Sequence, residues 1–144
     1  MQLIKSVCLT LALGGLGSAF AVPNASAESP NAAACFAQHQ ATRALPYEVD
    51  RVAGEGTYTA LVGARVFVQA EQGLTAEWLD RELLARIAQR QASSACPLDL
   101  EGVAISVQSG GPGFWVNISA QSAETAKEVW RRSQRLTDEA GRAH

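Results

Sequence analysis

Ala64-Arg-Val-Phe-Val-Gln-Ala70 alternates between apolar and variable positions, and the alternation returns in Val103-Ala-Ile-Ser-Val-Gln108 and Phe114-Trp-Val-Asn-Ile-Ser-Ala120. A period of two predicts strands with one face buried. Val66, Val68 and Ala70 then share a face with Val103, Ile105 and Val107 and with Phe114, Val116, Ile118 and Ala120. The linking stretch, Ser109-Gly-Gly-Pro-Gly113, is rich in glycine. Phosphate loops lead from a strand into a helix, whereas this one leads into a strand and is followed by no Lys-Ser or Lys-Thr. It reads as a hairpin turn, whose glycines supply left-handed backbone.

Two helical patterns supply a cover for the apolar face. Thr75 is a suitable N-cap, Glu77 favours the helix dipole, and Leu74 with Leu79 forms a hydrophobic staple. Leu79, Leu83 and Ile87, widened by Ala76 and Leu84, give a stripe over roughly residues 76–90. A second stripe, Ala126, Val129, Trp130, Ser133 and Leu136, follows Ser122 as cap, with Gly141 as the stop. The expected fold is α+β, a small sheet of three or more strands with two helices on one face and the core order β-α-β-β-α. Thr57-Tyr-Thr-Ala-Leu-Val62 enters the first strand through Gly63, as one bulged strand or as two.

The N-terminal third reads differently. Met1–Lys5 is a short charged start, residues 7–22 are apolar, and Ala25-Ser26-Ala27 is a signal-peptidase pattern, with Ala19-Phe20-Ala21 as a second one. The expected organisation is a cleaved signal over 1–27, an N-terminal helix and loop over 28–56, a core domain over 57–137 and a frayed tail over 138–144. Asn31 would cap a helix from Ala32 to about Ala44, ended by Pro46, and residues 46–56 would be loop or short extended chain. Nothing after residue 28 is long and apolar enough to span a bilayer, so an exported protein, periplasmic or secreted, is expected. The mature chain keeps Cys35 and Cys96. An even pair in an exported chain reads as a disulfide, here tethering the N-terminal helix.

Charge and motifs narrow the chemistry. The net charge is −2, and with Lys5 removed Lys127 is the one lysine, so no basic field points to nucleic acid. Arg131, Arg132 and Arg135 alternate with Glu124, Glu128, Asp138 and Glu139, as on a solvated, ion-paired face. His39, within Gln38-His39-Gln40, reads as a surface histidine, and no Gly-x-Ser-x-Gly or metal-ligand spacing occurs. The acid pairs Glu48/Asp50 and Asp99/Glu101 read as solvated loop residues, and the sequon Asn117-Ile118-Ser119 lies inside a strand pattern. No catalytic, cofactor or metal residue is assigned.

One feature remains on the strands' second face. It carries Arg65, Phe67 and Gln69, then Ala104, Ser106 and Gln108, then Trp115, Asn117 and Ser119. Arg65, Phe67, Trp115 and Asn117 are the candidate partner-binding residues, because aromatics with arginine anchor interfaces. The N-terminal helix, Tyr58, a second copy in a homodimer, a protein partner or a small ligand could each cover them. The expected function is that of a small exported non-enzymatic binding or accessory protein of the bacterial cell envelope. The alternatives are a small exported hydrolase using the loop acids and, more distantly, a metal-handling accessory protein.

Overall fold

The computed structural model describes residues 32–90 and 95–142. The expected signal over 1–27 and the Asn31 cap lie outside these residues. The described elements, in order, are α1 (Ala32–Cys35), β1 (Ala41–Ala53), β2 (Gly56–Gln69), α2 (Ala76–Ala88), a 3-10 turn (Pro97–Asp99), β3 (Val103–Ser109), β4 (Gly113–Ala120) and α3 (Ala123–Arg142). The four strands form one antiparallel sheet in the order β1-β2-β4-β3. The fold is α+β.

Of the three period-two segments, two are the inner strands β2 and β4 and the third is the edge strand β3. Ala64, Val66 and Val68 of β2 and Val116 and Ile118 of β4 are fully buried. Leu79 and Leu83 of α2 and Val129 and Leu136 of α3 pack with them in one cluster, so both helices lie on the same face. Burial of each such aliphatic side chain contributes about 1.5–3 kcal/mol. Both helix starts follow the sequence: Thr75 Oγ1 accepts from Trp78 N at 3.2 Å, and Ser122 Oγ accepts from Thr125 N at 3.1 Å.

Three expectations are corrected. The helix expected from Ala32 to about Ala44 is a single turn, and the stretch expected as loop over 46–56 belongs to a long hairpin. β1 pairs with β2 from Ala41↔Val68 to Ala53↔Gly56. Alanine's helical preference is worth a few tenths of a kcal/mol per residue, which a long, twice-bulged ladder of backbone hydrogen bonds outweighs. Pro46 is tolerated because β1 is an edge strand, where a missing N–H breaks no second ladder. The tail expected to fray from residue 138 continues as helix to Arg142, through Gly141. One glycine in a helix costs about 1 kcal/mol and need not end it.

β2 is one strand with a bulge beside Gly63. The register steps from Tyr47↔Gly63 to Glu48↔Leu61. A Cβ at Gly63 would lie 1.9 Å from the Ile118 carbonyl oxygen, so the close approach of β2 to β4 requires glycine here.

Cys35 and Cys96 are bonded, both buried, with Cα atoms 5.5 Å apart. The bond places Phe36 in the core on the helix side, and Arg132 Nη1 of α3 donates to the Cys96 carbonyl at 3.2 Å. Bond and helix together fix the otherwise short N-terminal turn. With the cysteines 61 positions apart in the sequence, loss of the bond should lower the unfolding free energy by about 4 kcal/mol through the freed unfolded chain. Urea unfolding of Cys35→Ala/Cys96→Ala against the parent measures this. A loss below about 1 kcal/mol, the size of an ordinary substitution, would mean that packing holds Phe36 without the bond.

Candidate functional site

Strand parity places Arg65 and Phe67 of β2 opposite Asn117 and Trp115 of β4, on the face away from the helices. The four residues expected as a binding face are therefore contiguous. Phe67 and Trp115 meet edge to face, centroids 5.1 Å apart. The Arg65 guanidinium carbon lies 5.0 Å from the Trp115 ring centroid. Arg65 Nε donates to Asn117 Oδ1 at 3.0 Å, and Asn117 Nδ2 donates to Ser106 Oγ at 3.3 Å. Asn117, 5% exposed, thus has its amide satisfied from both sides. The sequon residue is a buried strut of the face.

Beyond Nε, the guanidinium makes no hydrogen bond or ion pair to the described residues. Its two terminal nitrogens form a fork held by the ring beneath and by Asn117 at the side. Such a fork matches a carboxylate bidentately. β1 adds Arg43, Leu45 and Tyr47, which stand opposite Phe67, Arg65 and Gly63. From Arg43 to Tyr47 and across the facing positions of the other strands, the face carries two arginines and no acid.

The glycine-rich turn belongs to this face. It closes the β3–β4 hairpin, Gly110 N donating to the Gly113 carbonyl at 2.9 Å. A Cβ on Gly110 would lie 2.4 Å from Trp115 Cδ1, and one on Gly113 would lie 2.3 Å from the Val68 carbonyl oxygen and 2.6 Å from Phe67 Cζ. Gly110 makes room for the Trp115 ring, and Gly113 makes room for both the β2 backbone and the Phe67 ring. Sequence reading gives the turn but not this contact, because nothing local links Gly113 to Phe67.

Two proposed covers are elsewhere. The Cys35–Phe36 segment packs on the helix side, and Tyr58 is 51% exposed near the tip of the β1–β2 hairpin, opposite Arg51. Among the described residues no element lies over Phe67 and Trp115.

The acids and the histidine depart from their sequence readings. Asp99 is not a solvated loop acid: its side chain is 1% exposed, and both oxygens accept from Arg86, at 2.7 and 2.8 Å. Glu48 and Asp50 lie on β1, and Asp50 Oδ1 accepts from Thr59 Oγ1 at 3.0 Å. His39 is not a surface residue: its side chain is 13% exposed, with Nδ1 3.1 Å from Glu71 Oε1 and Nε2 2.7 Å from Glu82 Oε2. Burial opposes its charged form, but hydrogen bonds and attraction from Glu82 and Glu71 outweigh this and raise its pKa. The hydrogen bond with His39 lowers the pKa of Glu82 in turn. On α3, Glu128 accepts from Arg131 and Arg132 and is held down to about 2. Among the described residues no group of three His, Cys, Asp or Glu could hold a metal ion, and no helix is long and apolar enough to cross a membrane.

Arg86→Met should cost about 3 kcal/mol, because it removes the main countercharge of a buried carboxylate. Glu48→Gln and Asp50→Asn should stay within about 0.5 kcal/mol. Urea midpoints of the three variants separate the structural acid from the exposed ones. For His39, the folded pKa lies above the ordinary histidine value of about 6.5. Its stabilisation is therefore complete below that value and is lost as pH rises through the folded pKa. The stability gap between parent and His39→Gln should be larger near pH 5.5 than near pH 8.5, two values on either side of an ordinary histidine pKa of about 6.5. A gap constant across that range would deny the charged pairing.

The chain matches no family model, no curated protein and no solved structure.

Proposed function

We propose that this is a small exported, non-enzymatic binding or accessory protein of the bacterial cell envelope, and that it holds a protein partner on the outer face of its sheet. The observation that carries the reading is the Arg65–Trp115–Phe67 cluster, an arginine fork resting on the Trp115 ring, which Phe67 meets edge to face, with no described element above it. Aromatic and arginine side chains in such clusters contribute disproportionately to protein interfaces. The fork and the absence of acids around it favour a partner that brings a carboxylate flanked by apolar groups. Export follows from the signal pattern at the N-terminus and is compatible with the buried disulfide. The pairing of Asp99 with Arg86 gives that acid a structural role, which leaves the hydrolase alternative without its buried carboxylate.

The test is affinity capture from the envelope fraction with the mature chain and with Arg65→Ala, Phe67→Ala and Trp115→Ala. Each variant should keep the parent's circular dichroism and weaken capture of the same partner by about thirtyfold or more, the size expected of an anchor worth 2 kcal/mol. Folded variants that capture as the parent does would remove the sheet face from the function.

A further inference from the structure

The two edges of the sheet are built differently. β1 carries Arg43, Pro46, Glu48, Asp50 and Arg51, and its register against β2 slips twice. Charges, prolines and bulges are the devices that keep an edge strand from pairing with another chain. β3, the opposite edge, has none of them. Val103-Ala-Ile-Ser-Val-Gln-Ser109 is uncharged and contains no proline, and it pairs with β4 without a slip.

The direction of its backbone groups follows from the turn. The Gly110–Gly113 hydrogen bond makes Gln108–Trp115, Ser106–Asn117 and Ala104–Ser119 the hydrogen-bonded pairs of the alternating ladder. Val103, Ile105 and Val107 hold the other positions, so their N–H and C=O groups point outward from the edge. Beside them runs a groove of about 370 Å³ between Ile105, Ser106 and Val107 on one side and Ala76, Glu77 and Asp80 of α2 on the other. An extended segment laid there would pair with β3 through its main chain. Its alternate side chains would meet Glu77 and Asp80.

Charge selects the occupant. If a second copy paired its β3 here, the two α2 helices would lie side by side, each bringing its own Glu77 and Asp80 to the shared groove. We propose that the β3–α2 groove receives an extended segment of a partner protein, added as a fifth strand, with basic side chains at alternate positions facing Glu77 and Asp80. This site lies at the sheet edge, on the helix side, and does not depend on the aromatic face.

Two blocked seven-residue peptides test it against the full chain, one alternating threonine with arginine, the other alternating threonine with glutamate. The arginine peptide should bind and slow amide exchange at Val103, Ile105 and Val107. The glutamate peptide should bind at least about tenfold more weakly, and Glu77→Lys/Asp80→Lys should reverse that order. Equal binding of the two peptides, binding of neither, or binding that leaves the three amides exchanging freely would overturn the proposal. So would protection of the same amides that grows with the concentration of the chain by itself, the mark of β3 pairing with β3. The exchange measurement on the parent decides even where the charge-reversed variant is unstable.

Discussion

Ala64, Val66, Val68, Val116 and Ile118 expose no surface, yet they are covered from one side only, by α2 and α3. That one-sided cover organises the molecule. Because side chains alternate across a strand, sending these residues to the helices sends Arg65, Phe67, Trp115 and Asn117 to the other side. A sheet covered on one face ordinarily turns polar groups outward. Here the outward positions include two aromatic rings, an arrangement that the core does not demand. Asn117 is buried without belonging to the core, because its amide is spent on Arg65 and Ser106.

The hairpin between β3 and β4 shows how closely surface and fold are joined. A turn needs special backbone only at its tip, where Gly111 has φ +67°. Gly110 and Gly113 answer to something else: the Trp115 ring rests where a Gly110 side chain would stand, and the Val68 carbonyl and the Phe67 ring rest where one on Gly113 would. An alanine at either place would push a ring away or distort the strand pair. The glycine run is thus shaped partly by the face it borders, as Gly63 is shaped by the Ile118 carbonyl pressed against it.

What could be read from the chain was whatever rests on short-range pattern. The inner strands, both helix starts and the β3–β4 turn repeat or cap within a few residues. β1 lacked such a signal: its alanines favour helix, Pro46 suggests a break, and this edge strand, with Arg43, Glu48 and Asp50, buries only Ala41 fully. Its identity as a strand comes from β2. Long-range pairs were invisible for the same reason. His39 meets Glu71 and Glu82, 32 and 43 residues away, and a polar segment such as Gln38-His39-Gln40 carries no trace of either. Asp99 looked solvated because its segment reads as a surface loop, whereas Arg86 on the last turn of α2 draws it inward. The four residues of the candidate face were legible because parity alone groups them. The arginine stacking on Trp115 was not.

A net charge of −2 conceals how the charge is arranged. On the outer sheet face, from Arg43 to Tyr47 and across the facing positions, the fixed charges are Arg43 and Arg65, with no carboxylate. Lining the groove at the β3 edge, on the helix side, they are Glu77 and Asp80, with Arg81 near enough to Glu77 to attract it. Much of the remaining charge is internally matched, as Glu128 is by Arg131 and Arg132, Glu124 by Lys127, Asp99 by Arg86 and His39 by its two glutamates. At physiological salt, fields from exposed charges fade over about 8 Å. Each surface is therefore read by what touches it and not by the sum over the molecule. A partner suited to the arginine fork is repelled by the α2 rim, and one suited to the rim is repelled by the fork, so the two surfaces select for opposite charge.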